Sequence, residues 1–215
     1  MLGVYVSVPI ACFRKGLARE YLETEALPPP ATCYGFLLSL VGEERRHRHV
    51  GCRIAPVLLN HPDQSVVLRT VWRVKSLPLG AGGNTRPDFQ QLLAPVRLVL
   101  WLESSEELGD GERLESRVVR ALERPETIER FGGLSLGEST HLVDEVSLVD
   151  RVKHRPEHHG LTGRAFLLAE RGRLTLPIWV DHVGSAGTRY VTGNLVPDWP
   201  FDQAPDRTQM PRIEP

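Results

Sequence analysis

The hydrophobic pattern of the first hundred residues predicts strands separated by one helix. The opening stretch "MLGVYVSV" is apolar at every second residue, which predicts a half-buried strand. In "ATCYGFLLSLVGEE" the apolar residues follow helical spacing, and Gly42 stands where a helix commonly ends. Residues 50–59 and 65–76 predict two strands joined by the turn-rich "NHPDQ". Residues 77–95 predict an exposed excursion with a short helical piece at "PDFQQLL", and "VRLVLWLE" predicts another strand.

The second half of the chain predicts one more helix and then mostly strands. Leu114, Val118 and Leu122 recur at every fourth residue, and Pro125 ends this helix. After a glycine-rich segment come four strand-like stretches, at 142–150, 163–170, 173–180 and 188–196. From Pro197 onward, prolines and weak apolar periodicity predict an extended tail.

The order of these elements predicts an α+β fold of the ferredoxin-like or RNA-recognition type, with a β-hairpin inserted near residues 65–95. We therefore divide the chain into three parts. They are a ferredoxin-like domain with its hairpin at 1–150, a small β-rich C-terminal part at 151–196, and the tail at 197–215.

Composition narrows the classes of function. The 215 residues carry a net charge of −1, but residues 1–97 hold 12 Lys and Arg against 7 Asp and Glu, whereas residues 98–215 hold 14 against 20. This asymmetry predicts a basic and an acidic face with different partners, and two ordinarily solvated faces are the alternative. No apolar run reaches the roughly 18 residues of a membrane span, so we expect no membrane contact. The odd number of cysteines indicates a reducing compartment, so we expect a cytoplasmic protein. The three cysteines and eight histidines fit no metal-ligand spacing, so we expect neither metal nor cofactor.

The segment "FGGLSLGEST", residues 131–140, contains G-x-S-x-G, the nucleophile motif of many hydrolases, with Ser135 at its centre. That motif needs a buried strand running into the serine and a helix leaving it. Here a polar, proline-broken stretch precedes Ser135, and an alternating, strand-like stretch follows it. Asp144, Asp150, His141 and His182 would complete a triad only by accident, so a serine hydrolase is a remote alternative.

The glycines of this segment predict a loop with unusual backbone freedom. No Gly-Lys-Ser/Thr follows them, which excludes a phosphate-binding P-loop. The exposed backbone N–H groups of such a loop can approach an RNA sugar-phosphate backbone closely. A tight packing turn is the alternative.

Three basic clusters lie in the first half of the chain. They are Arg14, Lys15 and Arg19 after the first strand; Arg45, Arg46, Arg48 and Arg53 around the end of the first helix; and Arg69, Arg73 and Lys75 beside Trp72 on the inserted hairpin. Cations beside an indole ring suit phosphate pairing and base stacking, so the three clusters together favour RNA as the ligand. A solvated edge hairpin that charge protects against aggregation is the alternative.

Three motifs resemble those of the CRISPR-associated Cas5 family, in the family's order and spacing over about residues 1–195. "ETEALPPPATCYGFLLSLVGE" resembles its early helix motif, "TRPDFQQLLAPVRLVLWL" is similar to the segment where its thumb hairpin returns to the sheet, and "FGGLSLGES" resembles its glycine loop. The resemblance implies a ferredoxin-like (RAMP) domain with a thumb. It also implies binding of the 5′ handle of CRISPR RNA in a type I Cascade complex, capping of the backbone-subunit filament and docking of the large subunit. Target DNA would be met only through that complex.

The resemblance also assigns residues. The glycine loop would lie against the RNA handle, and the thumb would wedge a nucleotide out of its stack. Together with the clusters, the expected RNA-binding residues are Arg14, Lys15, Arg19, Arg45, Arg46, Arg48, Arg53, Arg69, Trp72, Arg73, Lys75, Arg86, Gly132, Gly133, Gly137, Ser139 and His141.

An enzymatic alternative comes from within the same family. Some members cleave precursor CRISPR RNA without metal, using a Tyr, a Lys and a His as general acid–base groups. Tyr34, Lys153 and His154 are the candidates of the right residue types in this chain. We expect RNA binding without catalysis, with cleavage as the alternative.

Overall fold

The computed structural model describes residues 1–16, 21–72, 75, 77–183 and 185–215. These residues form a mixed α+β structure that is rich in strands and has few helices. The strands are β1 (Leu2–Val8), β2 (Tyr21–Leu22), β3 (Arg53–Leu58), β4 (Asp63–Trp72), β5 (Thr85–Ala94), β6 (Val96–Glu103), β7 (Glu145–Leu148), β8 (Thr162–Leu168), β9 (Leu174–Trp179) and β10 (Arg189–Pro200). The α-helices are α1 (Pro30–Leu40), α2 (Leu114–Glu123) and the short α3 (Val149–Val152).

Seven strands form the main sheet, in the order β7-β1-β6-β3-β8-β10-β9, with every neighbouring pair antiparallel. Val4 lies opposite Leu100 and Val6 opposite Leu98, so apolar rows of two strands share one face. Tyr5 on the other face is buried as well. The prediction that β1 is half-buried is therefore wrong, because both faces of this strand are covered.

Helix α1 packs on the first face of the main sheet and ends at the predicted glycine. The Glu43 N–H donates to the Leu38 carbonyl (2.9 Å) and the Gly42 N–H donates to the Ser39 carbonyl (3.2 Å), which is the Schellman arrangement. Gly42 has a φ of +64°, which glycine adopts without strain. The predicted helix and its C-terminal glycine are confirmed.

Helix α2 packs beside α1 on the same face. Leu114 and Val118 are buried in the core, Leu122 is partly buried, and the helix ends two residues before Pro125. This element is also confirmed.

Helix α3 and the residues after β10 cover the second face. Phe201 and Met210 are buried there with Tyr5 and Trp101. Residues 211–213 lie antiparallel to residues 52–54: the Ile54 N–H donates to the Pro211 carbonyl (2.9 Å), and the Ile213 N–H donates to the Cys52 carbonyl (2.8 Å). Strand β8 pairs with β3 only at Val57 and Leu58, the last two residues of β3. The C-terminal segment therefore completes the sheet beside the rest of β3. The stretch predicted as a tail is part of the fold.

Strands β4 and β5 form a long hairpin, residues 63–94, which we call the thumb. With β2 it forms a separate sheet in the order β2-β5-β4. The predicted helical piece "PDFQQLL" is wrong, because these residues belong to β5. Phe89, Leu92 and Leu93 have helical spacing, but β5 pairs with β4 over ten residues, and this pairing fixes the extended conformation.

The predicted strand at 142–150 is shorter in the structure. Strand β7 ends at Leu148, where the chain turns into α3 and buries Val149 and Val152 on the second face. The strands predicted at 163–170, 173–180 and 188–196 are confirmed as β8, β9 and β10, and β10 continues to Pro200.

Candidate nucleic-acid interface

A groove runs along the outer side of α1, and we call it the α1 groove. One part is an open cavity of about 380 Å³, lined among others by Thr32, Gly35, Ser39, Arg46, Ser135, Gly137, Trp179 and His182. A second cavity of about 280 Å³ shares Gly35, Leu38 and Ser39 with the first and is also lined by Glu129, Arg130 and Phe131. The groove thus brings together α1, the loop at 129–137 and the end of β9, three segments distant in sequence.

Arg46 and Trp179 form the best-defined contact of the α1 groove. The Arg46 guanidinium carbon lies 3.8 Å from the centre of the Trp179 ring, and the guanidinium donates to the Val180 carbonyl (2.7 Å). The Tyr34 hydroxyl donates to the Arg46 carbonyl (2.7 Å), which holds the backbone of that residue as well. The cation of Arg46 is therefore held in the groove by two partners at the end of β9, and its backbone by one partner on α1.

A buried polar network holds the basic loop that follows α1. Glu43 accepts hydrogen bonds from Arg117 of α2 and from Arg48 (2.9 Å). Arg117 also donates to His49 Nε2 (2.9 Å), and His49 Nδ1 donates to Glu107 (2.8 Å). Each member thus has a partner in the network, which ties the loop to α2.

The charges of this network move the pKa of Glu43. Burial raises the pKa of the carboxyl, but the Arg117 hydrogen bond, the backbone N–H of Arg45 and the charges of Arg117 and Arg48 outweigh it and lower the pKa to about 2. Arg48 is therefore half-buried and paired with Glu43, whereas the side chain of Arg45 is largely exposed beside it. Of the predicted cluster, Arg45 presents its charge to solvent.

In the glycine loop, one glycine is needed for packing against the chain, and another has free space around it. Gly137 has a φ of +99°, and a Cβ there would lie 2.6 Å from the Cys12 carbonyl oxygen, so this glycine is needed for packing against the chain itself. Gly132 has a φ of +76° and nothing close to a Cβ position, and Phe131 before it is fully exposed. Gly133 packs against Leu142, and Ser139 is exposed.

His141 has a structural role in this loop. Its Nδ1 accepts from the backbone N–H groups of Cys12 (3.2 Å) and Glu138 (3.4 Å). Burial lowers the pKa of His141, the charge of Glu138 raises it and Arg69 lowers it further, so the net shift is downward. The ring joins the glycine loop to the segment after β1.

Ser135 stands in a setting unlike a hydrolase elbow. It forms an isolated bridge with Leu142 and follows an irregular segment instead of a buried strand. His141 Nδ1 is occupied by the two backbone donors, so no carboxylate orients that ring through Nδ1. The geometry does not support Ser135 as a nucleophile.

The other predicted RNA-binding residues are spread over the surface. Arg14, Lys15 and Lys75 are exposed, and Arg86 is half-buried. Arg53 pairs with Glu106 and donates to the Met210 carbonyl (3.1 Å), so it holds the C-terminal segment. Arg69 pairs with Asp88 and Glu138, whereas Trp72 is exposed on the opposite face of β4. Arg19 and Arg73 lie outside the described residues.

The three candidates for RNA cleavage are not brought together. Tyr34 lies on α1 in the core of the first face, where burial raises the pKa of its hydroxyl. Lys153 follows α3, which packs on the second face, and its ammonium group lies 2.7 Å from Asp150. His154 is exposed next to Lys153. The main sheet therefore separates the tyrosine from the other two residues.

Sequence reasoning missed Trp179, His182 and Phe131 as groove residues. Trp179 comes 133 positions after Arg46, and no spacing rule connects them. Phe131 could have been found, because an aromatic residue directly before two glycines suggests an exposed ring on which a base can stack.

No metal-binding group of three or more His, Cys, Asp or Glu occurs among the described residues, and none of the described helices is long and apolar enough to span a membrane.

The chain is similar to known CRISPR proteins in sequence and in fold. No protein-family profile matches it. It is 53% identical over 216 residues to the CRISPR-associated protein Cas5 of Myxococcus xanthus (strain DK1622), a match that covers 99% of this chain and 97% of the relative.

Two solved structures share its fold at 15% identity. One, described as a CRISPR RNA-guided surveillance complex, has a TM-score of 0.60 over 91% of this chain and 89% of that chain. The other, described as the crystal structure of a Cas protein, has a TM-score of 0.51 over 96% and 98%. With one sequence relative this similar over nearly its full length, the chain belongs to the CRISPR-associated Cas5 family.

Proposed function

We propose that this chain is a subunit of a Cascade complex that binds the 5′ handle of CRISPR RNA, caps the filament of backbone subunits and docks the large subunit. Its membership of the Cas5 family supports the proposal, as does its fold similarity to a chain of a CRISPR RNA-guided surveillance complex. We further infer that β1, α1, β3, β6, α2 and β7, in β-α-β-β-α-β order, are the ferredoxin-like RAMP domain of the family.

The observation that carries the proposed RNA contact is the α1 groove. Its larger cavity, about 380 Å³, is in the size range of pockets for small molecules and single nucleotides. Proteins bind single-stranded RNA by pairing phosphates with cations and by stacking bases on aromatic rings. The groove offers both: Arg46 is fixed inside it, Arg45 is exposed nearby, and the fully exposed Phe131 stands beside the second cavity.

The experiment is a gel-shift titration of the chain with a repeat-containing precursor CRISPR RNA, at two salt concentrations, with and without EDTA. We expect a shift that excess handle RNA competes away, that weakens as salt rises and that EDTA leaves unchanged. Phe131→Ala removes one stacking ring, so we expect this variant to bind the RNA about tenfold more weakly. Arg45→Ala weakens binding and lowers the salt dependence.

Matched controls are available outside the lining of the α1 groove. Tyr190→Ala removes another exposed ring, and Arg171→Ala another exposed cation, and neither residue lines the α1 groove. These two variants should bind RNA like the wild type. Equal losses in the groove variants and the controls would contradict the assigned site. Metal-independent cleavage at one repeat position would make the chain a processing nuclease instead.

A further inference from the structure

The outermost strand of the thumb, β4, has an open edge. It pairs with β5 along its whole length, and no backbone hydrogen bond joins it to another segment within the described residues. Six consecutive residues, Asp63 to Leu68, are exposed. Half of the N–H and C=O groups of an edge strand point away from its one partner, so β4 presents a row of free donors and acceptors.

The outer face of the thumb carries no charge and exposes several apolar side chains. Residues directly opposite in an antiparallel pair share a face. Leu68 therefore lies beside Phe89, and the Tyr21 ring of β2 is 6.3 Å from Phe89. The face is made of Gln64, Val66, Leu68, Thr70 and Trp72 of β4 and Thr85, Pro87, Phe89, Gln91 and Leu93 of β5, and it includes no Lys, Arg, Asp or Glu. Leu93, at the end of the strand nearest the body, is buried in the main core.

The charges of the hairpin lie on the inner face. Arg69 is opposite Asp88, and Arg86 is opposite Val71. Arg69 pairs with Asp88 (3.6 Å) and Glu138 (3.5 Å), so its charge is balanced by the body of the protein. A phosphate backbone laid on the outer face would thus meet no described cation of β4 or β5, which argues against RNA as its ligand.

We propose that β4 receives a strand from a neighbouring protein subunit of the complex, with the apolar side chains of that strand packed on Val66, Leu68 and Phe89. This inference rests on the proposed function, which places the chain in a multi-subunit assembly. An uncharged polypeptide strand both hydrogen-bonds the free backbone groups of β4 and covers the apolar side chains of the outer face. Neither RNA nor water does both. Long, exposed apolar edges of this kind are otherwise a source of aggregation.

The test compares two lysine substitutions in the chain co-produced with the other subunits of its complex and CRISPR RNA. Leu68 is 65% exposed on β4, and Leu108 is 73% exposed on a loop of the body, so the two leucines are matched in type and exposure. Leu68→Lys places an ammonium group against the incoming strand, and we expect recovery of the chain in the complex to fall at least about tenfold, or 1.4 kcal/mol. Leu108→Lys should assemble like the wild type.

RNA binding separates failure of this inference from failure of the proposed function. Isolated Leu68→Lys should shift CRISPR RNA with wild-type affinity, because the proposed RNA site is the α1 groove and Leu68 does not line it. If the wild type itself binds neither RNA nor subunits, the proposed function fails, and this inference fails with it. If the wild type assembles and Leu68→Lys assembles equally well, only the inference that a strand docks on β4 is wrong.

Hydrogen exchange of the unmodified chain gives a readout specific to strand pairing and independent of any variant. In the complex, about half of the amides in residues 63–72 should become protected relative to the isolated chain, because every second N–H faces the open edge. Absence of that protection in the assembled complex overturns the proposal. Protection by CRISPR RNA alone, or concentration-dependent protection in the isolated chain, overturns it as well, in favour of RNA or a second copy.

Discussion

The main sheet and the thumb are both antiparallel, yet they are stabilised in different ways. Strands β1 and β6 are covered on both faces, and Val4, Val6, Leu98 and Leu100 are fully buried. The thumb instead buries polar groups at its base, and Asp88 Oδ1 and Gln90 Nε2 have no hydrogen-bond partner among the described residues. A buried polar atom without a partner costs free energy, so these two atoms offset part of the stability that buried Leu93 and its backbone pairing with Ala11 give to the contact between thumb and body. The body therefore closes around its own apolar core, whereas the thumb leaves the edge and one face of β4 exposed.

The largest expected effect is loss of a core leucine from the body. Leu100→Ala leaves a cavity between α1 and the main sheet, and we expect it to lower the free energy of unfolding by about 4 kcal/mol. Leu68→Ala, the same substitution on the thumb, should change it by less than about 0.5 kcal/mol, because the side chain is already in water. Urea unfolding of both variants measures the difference. Equal costs would mean that the thumb belongs to the cooperative core.

A smaller effect is expected from the buried network of the body. Glu43→Gln leaves Arg117 without its carboxylate, and we expect the free energy of unfolding to fall by about 3 kcal/mol at neutral pH. Because the folded pKa of Glu43 lies below its ordinary value of 4.5, its contribution is present above pH 4.5 and is lost as the pH falls towards 2. The variant should therefore lose less stability than the wild type over that pH window, as measured by urea unfolding at several pH values.

The matched carboxylate in the thumb is Asp88. One of its oxygens has no hydrogen-bond partner in the described part of the chain, and Arg69 keeps Glu138 when the charge of Asp88 is removed. Asp88→Asn should therefore change the free energy of unfolding by less than about 1 kcal/mol. A loss as large as that of Glu43→Gln would contradict the distinction between the two regions.

The third contrast between body and thumb, with a smaller effect than those of Leu100 and Glu43, concerns two glycines. At Gly42 a Cβ would lie 2.1 Å from the Glu129 carbonyl oxygen, and the φ of +64° strains any other residue, so Gly42→Ala should cost about 2 kcal/mol. At Gly80, near the end of the thumb, nothing lies within 4 Å of a Cβ position, so Gly80→Ala should be neutral within about 0.5 kcal/mol. The thermal midpoints of the two variants test this contrast. Equal shifts of the two thermal midpoints would contradict the packing role assigned to Gly42.

The sequence predicted the body better than the thumb, for physical reasons. Helix α1 was recognisable because Phe36, Leu37 and Leu40 repeat with its period and Gly42 marks its end. Strand β5 was not, since Phe89, Leu92 and Leu93 fit a helix equally well and only pairing with β4 decides between the two.

The candidate site was partly predictable. The exposed cation Arg45 and the glycines of the loop were found from residue type alone. The contacts of Arg46 with Trp179 and of Arg53 with Glu106 join residues far apart in the chain, and local patterns carry no information about them. For the same reason, the sequence overstated the number of cations available to RNA: Arg48, Arg53 and Arg69 are paired with carboxylates of the chain itself.

The pairing of residues 211–213 with residues 52–54 also orders events during folding. Ile213 is synthesised long after Cys52, so β3 leaves the ribosome with part of one edge unpaired. Local elements such as α1 can form early, but contacts of such high sequence separation form late and slow the folding of a sheet. Until the C-terminal segment arrives, the backbone groups at the start of β3 and the apolar site that Met210 fills are open to other chains. A nascent chain of this family therefore has its greatest need of chaperone protection in the interval between the synthesis of β3 and that of Met210.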